Sequence, residues 1–419
     1  MLIEFSVVNY RSFRDRQTFS FVANASKELK ETNTIQSGLA SVPELLPAAV
    51  VYGANASGKS NLVRALHFMR LFVLNSSKEK QMGEGLGANP FRFDPDLAAE
   101  PSEFEVVAIH QGIRYQYGFA LNRQRVVEEW LLVFPEGRPQ RWFERSFISA
   151  SGTYAWYFGP KFKGPKEVWR QATRENALFL STAIQLNSTG LKPLYLWFQE
   201  FLKVCPPDSR ISPFLTVRRC KRDGGEEKVL EFLNAADLSL LNLEIKPVEF
   251  RNENIPDRFT DEMKQALADG NIEQILFVHG TNDTPISATM KPKEESSGTR
   301  RLFELAGPLL DILETGKTFV MDELDQSLHI HIVLFLLDLF QNPVTNRKGA
   351  QLLFTTHNTA LMDPEVFRRD QIWFLEKDED FASHLYPLTD FKPRKGELFE
   401  KGYLKGRYGA LPVVKAFGL

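Results

Sequence analysis

The sequence predicts an α/β fold with a flanking antiparallel β lobe and a mainly helical insertion, on three observations. A match to G-x-x-x-x-G-K-[ST] at 53–60 lies between an apolar extended segment and a helical repeat. Residues 102–158 alternate apolar and polar with the two-residue period of strands. From Gly298 onward, helical and extended patterns alternate as they do in an α/β core.

The chain has 419 residues, 43% hydrophobic and 25% charged, as expected of a soluble globular protein of two or three domains or one large domain with an insertion. A net charge of −2 excludes bulk attraction to nucleic acid or an anionic membrane. Cys205 and Cys220 are too few for a disulfide scaffold and lack metal-ligand spacing, which suits a reducing compartment. The start, Met1-Leu2-Ile3-Glu4-Phe5-Ser6, has no signal-peptide character, so a cytoplasmic location is expected. The longest apolar run, 330–340, contains His331 and Asp338 and falls short of the ~20 residues that span a bilayer. It reads as a buried helix, and no membrane partner is expected.

Taken in order, residues 2–22 read as a β-hairpin around a polar turn at 9–16, and 24–45 as polar and irregular. Ala48-Ala49-Val50-Val51-Tyr52 reads as a buried strand and 61–72 as a helix ending near Asn75. A loop with Gly83, Gly85 and Gly87 leads to Pro90-Phe91-Arg92-Phe93-Asp94. In 102–158, Phe104, Val106 and Ala108 alternate with polar partners, and 114–119 and 130–134 continue an antiparallel sheet. Residues 160–290 are mixed, with a helical piece at 193–202 and no sustained heptads. Three parts are expected: 1–158, 159–290 and 291–419.

The loop itself is Gly53-Ala54-Asn55-Ala56-Ser57-Gly58-Lys59-Ser60, followed by Asn61. Gly53 and Gly58 let successive N–H groups curl around one hollow, and the following helix adds the positive end of its dipole. This is a cradle for a nucleoside triphosphate, with Lys59 reaching its β- and γ-phosphates and the Ser60 hydroxyl holding Mg²⁺. Downstream, Lys317-Thr318-Phe319-Val320-Met321-Asp322-Glu323 is an apolar strand ending in two carboxylates. Asp322 suits the Mg²⁺ shell and Glu323 a general base that polarises water. Taken alone, the pair reads equally as a solvated acidic turn.

Asp325-Gln326-Ser327-Leu328-His329 reads as the start of a helix. Gln351-Leu352-Leu353-Phe354-Thr355-Thr356-His357-Asn358 is a second buried strand, whose His357 suits a γ-phosphate sensor on the neighbouring strand tip. Ser296-Ser297-Gly298, at the start of a further helix, offers exposed N–H groups and hydroxyls to an anion. One nucleotide does not need two such cradles in one chain, so this turn is expected to face a nucleotide on another copy. An ordinary serine N-cap is the competing reading.

The order of these motifs resembles ABC-type ATPases of the SMC, RecF and OLD class, and more closely the AAA-labelled, ABC-type ATPases of bacterial anti-phage and abortive-infection systems. Asn9-Tyr10-Arg11-Ser12-Phe13 at the start, and 391–396 with 402–409 at the end, are similar to that group too. The likeness covers about 1–135 and 290–419. It implies an ABC-type P-loop NTPase core that uses ATP and Mg²⁺, with 53–61 on the phosphates and Ser60 and Asp322 on the metal. Lys59, Glu323 and His357 take the catalytic roles. Ser296, Ser297 and Gly298 match the signature motif, Ser327 the D-loop, and Arg11 a nucleotide-contacting arginine.

The same resemblance implies an ATP-sandwich homodimer or higher homo-oligomer controlling a separately encoded nuclease or toxin. Two departures are that no Q-loop glutamine can be placed and that no long coiled coil is present. A RecF- or SMC-like DNA-repair ATPase and a slow nucleotide-gated scaffold are the alternatives, so nucleic acid stays open as a partner. Arg218-Arg219-Cys220-Lys221-Arg222 reads as a solvated loop, and Asp378-Glu379-Asp380 as a solvated hairpin turn rather than a nuclease cluster. No Asn-Lys-x-Asp motif for guanine occurs.

Overall fold

The computed structural model describes residues 1–79, 81, 83–207, 209, 211–247, 273–280, 287–394 and 396–412. Parts of the expected insertion, and Lys395 of the closing motif, lie outside the described residues. The chain forms two compact units, Met1–Ser209 with Ile312–Asp325 and Leu336–Leu419, and Arg210–Asp311 with Gln326–Phe335.

The first unit holds the expected α/β core and antiparallel lobe. A six-stranded sheet runs in the order Leu202–Cys205, Thr318–Met321, Gln351–Thr355, Ala48–Tyr52, Ile372–Lys377, Ser383–Pro387. Its first five strands are parallel and the last is antiparallel. Ala48–Tyr52, Thr318–Met321 and Gln351–Thr355 are buried throughout, as strands covered on both faces must be. Polar side chains can therefore gather only at the strand ends, and in parallel sheets ligands bind at the carboxyl ends.

The antiparallel lobe is a seven-stranded sheet: Thr153–Phe158, Gln140–Ile148, Val126–Phe134, Ile113–Leu121, Ser102–His110, Leu2–Val8, Gln17–Ser20. Phe104, Val106 and Ala108 point inward, as their alternation predicts. The N-terminal hairpin is this sheet's edge, with Phe5 opposite Phe19. The helix Lys59–Asn75 buries Leu62, Val63, Leu66, Met69 and Phe72, a stripe at helical spacing. Its Phe68 and Phe72 rings meet Phe104 and Phe119 of the lobe, with centroids 5.1 and 5.3 Å apart. Side chains of this size each contribute about 1.5–3 kcal/mol when fully buried, so the lobe holds the helix that follows the loop.

A buried ion pair ties that lobe to the helix Phe179–Gln185. Glu129 and Arg145 are 0% and 1% exposed and 3.0 Å apart. Glu129 also accepts hydrogen bonds from the Tyr117 hydroxyl and from the Phe179 and Leu180 N–H groups, at 3.0, 2.7 and 3.0 Å. The last two are unpaired donors at a helix start, which a carboxylate satisfies.

In the second unit, Leu240–Pro247, Glu273–Gly280 and Ser287–Met290 form an antiparallel sheet, beside the helices Phe214–Cys220 and Gly225–Ala235. The helix Ser297–Thr315 contains Pro308, which has no N–H to give the preceding turn. The Thr216 hydroxyl lies there instead, 2.7 Å from the Phe303 carbonyl and 3.5 Å from that of Glu304.

Several local expectations are corrected. Ile35–Leu39 and Val42–Leu45 pair as a hairpin within the stretch read as irregular, because cross-strand bonding overrides their polar composition. Residues 325–327 are turn and 328–329 irregular, and the helix begins only at Ile330. That helix is not fully buried: Val333, Leu336, Leu337 and Phe340 face inward, whereas His331 and Asp338 are exposed. The piece at 193–202 breaks into a short α-helix Lys192–Leu196, a π-turn Trp197–Phe201 and the start of a strand. Of 218–222, Lys221 and Arg222 lie in an exposed turn as expected, whereas Arg218, Arg219 and Cys220 end a helix; Arg219 is buried, and burial pushes the Cys220 thiol up to about 11. Asp378 and Asp380 do lie in a hairpin turn, where they pair with Arg14.

Candidate functional site

The loop 53–60 joins the strand Ala48–Tyr52 to the helix Lys59–Asn75, as its flanks predict. Its two glycines serve different needs. Gly58 has φ 115°, a left-handed conformation that suits glycine, and a Cβ there would sit 2.4 Å from the Ser383 hydroxyl. Gly53 is needed for space, since a Cβ would lie 2.3 Å from the Leu375 carbonyl oxygen. Ala56, with φ 61°, supplies the other left-handed residue of the curl. Gly53→Ala is expected to cost about 1–3 kcal/mol through overpacking against backbone, read as a lower urea midpoint. An unchanged midpoint would show that the strand can shift freely.

Lys59 is buried, and its Nζ donates to the Gly53 and Ala54 carbonyls at 2.8 and 3.1 Å. Burial lowers its pKa to about 8, against the opposing pull of Asp322 and Glu323. The Ser57 hydroxyl is buried with no hydrogen-bond partner. A hollow holding a desolvated ammonium and an orphaned hydroxyl fits a polyanion.

Asp322 is the first residue after the buried strand Thr318–Met321, and there it meets the loop. It accepts from the Ser60 hydroxyl at 2.7 Å and from the Thr355 hydroxyl at 2.6 Å. Thr355 also accepts the Glu323 N–H at 2.8 Å. Glu323 is held at φ 49°, an unusual conformation for a residue with a long side chain. The residue is only partly buried, and its charge acts on Lys59 and His357.

His357 follows Gln351–Thr355, which pairs in parallel with Thr318–Met321 on one side and Ala48–Tyr52 on the other. The histidine therefore stands at a strand tip between Asp322 and the loop. Partial desolvation and the Lys59 charge lower its pKa, against the pull of Glu323, Asp325 and Asp322, although the residue keeps an exposed surface.

Asn61 is used on the protein itself, its Nδ2 donating to the Ser12 hydroxyl at 2.9 Å. Arg11 is exposed, and its Nε donates to the Tyr10 hydroxyl at 3.2 Å. It is the neighbouring Ser12 that braces the loop: the Ser12 carbonyl accepts the Ser383 N–H at 2.7 Å, and the Ser383 hydroxyl donates to the Ser57 carbonyl at 2.6 Å. Thr355, Ser12 and Ser383 join the site only through the fold. Thr355 was legible as a polar residue ending an apolar strand; Ser383 carried no signal at all.

The signature residues belong to the second unit. The Ser296 hydroxyl accepts the Thr299 N–H at 3.0 Å, so it is in fact the N-cap of the helix Ser297–Thr315. Ser296 and Ser297 are exposed, and a Cβ on Gly298 would lie 3.0 Å from the Ser327 carbonyl. Gly298 and Ser327, φ 65°, are thus neighbours. In the closing motif, Tyr403 and Tyr408 stack on Phe374 with centroids 5.5 and 5.8 Å apart, and Tyr403 also meets Tyr52, the residue before Gly53. That motif packs the strand feeding the loop.

Among the described residues, no group of three His, Cys, Asp or Glu side chains stands ready to hold a metal, and no helix is long and apolar enough to cross a membrane.

No curated protein matches the chain. Among solved structures, it is similar to an SMC head domain from Thermotoga maritima, at 14% identity and a TM-score of 0.41, covering 92% of this chain and 98% of that one. It is also similar to an SmcHead bound to the C-winged helix domain of ScpA, at 13% identity and a TM-score of 0.43, covering 92% and 97%. A family described as "AAA domain, putative AbiEii toxin, Type IV TA system" matches residues 48–183 and 224–363, more than half of the chain, and take in the loop, Asp322, Glu323 and His357. With that match over more than half of its length, the chain belongs to this AAA-domain family.

Proposed function

We propose that this chain is a Mg²⁺-dependent ATPase whose copies close on one another around ATP and so control a separately encoded nuclease or toxin. The observation that carries the reading is Asp322, tied to Ser60 of the loop and to Thr355, with Glu323 next in sequence. A hydroxyl and a carboxylate as oxygen donors fit Mg²⁺, which takes its other ligands from phosphates and water. Bound there, the ion supplies neutralisation of the charge that builds on the phosphate oxygens.

The chain's own groups do the rest. Lys59 exchanges its bonds to the loop carbonyls for phosphate oxygens. Glu323 accepts the proton of the water attacking the γ-phosphorus, as the bond to the bridging oxygen breaks. His357, its pKa lowered, contacts the γ-phosphate as a neutral hydrogen-bonding group. The exposed serines 296 and 297, at the start of a long helix, offer N–H groups to the triphosphate of a second copy. The family description carries the words "putative AbiEii toxin, Type IV TA system", and a setting in bacterial anti-phage defence is part of the same proposal.

Titrating nucleotide affinity tests the loop. Lys59 must be charged to hold phosphate, and its free pKa of about 8 lies below its ordinary 10.5. Binding therefore takes up a proton above pH 8, and the ATP dissociation constant is expected to rise by up to about tenfold per pH unit there. Below pH 8 the curve is flat with respect to this group. Isothermal titration at pH 7, 8 and 9 reads it, with Lys59→Met as the control that loses both affinity and slope. A pH-independent affinity in the parent chain would remove Lys59 from the phosphates.

Sedimentation of the parent chain with and without ATP tests the closing of copies. A mass unchanged by ATP, with ATP bound, would remove the second copy from the reading. Co-purification with neighbouring gene products, with and without ATP, tests for the effector.

A further inference from the structure

Two of the most exposed aromatic rings in the described residues lie against each other. Phe93 and Phe381 are 64% and 51% exposed, with ring centroids 4.7 Å apart and planes inclined by 23°. They come from distant parts of the sequence, and each is held in place. Phe381 has φ 63°, a left-handed conformation that a bulky residue adopts only when its surroundings impose it. The turn does so: the Asp378 carbonyl accepts the Phe381 N–H at 3.1 Å, and the Asp378 carboxylate accepts the Ala382 N–H at 2.8 Å. That carboxylate also faces His384 and Arg14, at 2.8 and 3.5 Å.

Both rings are anchored beside the phosphate loop. Two residues after Phe381, Ser383 bonds to Ser12 and to the Ser57 carbonyl of the loop. Two residues before Phe93, the Phe91 N–H donates to the Asn9 side chain at 2.9 Å, and the Arg11 N–H donates to the Asn89 carbonyl at 2.7 Å. The segment 9–14 thus bonds both to residues that brace the loop and to the two segments that carry the rings. A strained, ion-paired turn that presents a phenyl ring to water is poor for solubility and good for stacking.

We propose that Phe93 and Phe381 form a stacking platform for the base of the nucleotide whose phosphates lie in the loop 53–60, with Phe93 offering the open face and Phe381 backing it. This rests on the loop binding a nucleoside triphosphate. The larger π-face of a purine gains more from such a platform than a pyrimidine, and the selection is for an aromatic base rather than for its hydrogen-bonding edge.

The test compares ATP with inorganic tripolyphosphate, which has the phosphates and no base, by calorimetry on the full chain. The variants are Phe93→Leu with Phe381→Leu, which keeps apolar bulk, and Phe93→Tyr with Phe381→Tyr, which keeps the rings. The Leu pair is expected to weaken ATP binding by roughly five- to a hundredfold and to leave tripolyphosphate unchanged. The Tyr pair is expected to bind both like the parent. Unchanged ATP affinity in the Leu pair overturns the platform, even if self-association changes. An equal loss of both ligands also overturns it, since the loop rather than the base site was then disturbed. If the parent binds neither ligand, the phosphate-loop reading itself fails and the platform falls with it.

Discussion

Glu323→Gln is expected to bind ATP as tightly as the parent and to hydrolyse it about 10²–10⁴ times more slowly. The amide fills the same space and still hydrogen-bonds, but it cannot take the proton from the attacking water. Backbone support is untouched, because the Glu323 N–H to Thr355 hydroxyl bond does not involve the side chain. Under the sandwich reading the slow variant also accumulates the closed pair, so ATP should raise its mass in sedimentation more than the parent's. Steady-state phosphate release reads the first effect. Turnover within a factor of two of the parent would exclude Glu323 as the base, and would shift attention to a group positioned through His357.

Glu129→Ala is expected to produce the largest loss of stability. Removing one partner of a buried ion pair costs about 3–5 kcal/mol, because the other charge is left uncompensated in a low-dielectric interior. Here Arg145 would be stranded, and so would the Tyr117 hydroxyl and two N–H groups at the start of Phe179–Gln185. Against a total stability of about 5–15 kcal/mol for a domain, that is a large fraction of what holds the lobe folded. Urea denaturation followed by tryptophan fluorescence measures it. Replacing both members, Glu129→Leu with Arg145→Met, is expected to recover much of the loss, since a well-packed apolar pair can match a buried ionic one. A single Ala variant with an unshifted midpoint would mean that the carboxylate's bonds contribute nothing net.

Much of the site was legible in the linear chain because its physics is local. A curl of backbone N–H groups needs glycine at set spacing, and a strand buried on both faces admits a carboxylate only where it ends. Residues 53–60 and the Asp322–Glu323 pair follow from those two constraints, His357 from its place after a second apolar strand, and the strands around them are found as expected. The alternation in 102–158 was legible for the same reason, since a sheet with one face inward writes its period into the sequence. What was not legible depends on partners far away in the chain. The hairpin at 35–45 owes its form to cross-strand bonds that its composition does not announce. A start signal at 325 was overridden by a turn that leaves Ser327 left-handed.

The sequence by itself determined a glycine-framed loop between a buried strand and a helix, two carboxylates at the end of a second strand and an α/β frame to carry them, because each is set by residues close in the chain. Only the tertiary structure decided that Thr355 couples Asp322 to Glu323 and that Ser12 and Ser383 brace the loop. It alone brought Phe93 beside Phe381 and closed Glu129 onto Arg145. Those contacts join residues that no short-range spacing relates; they exist only once burial has brought the strands and turns together.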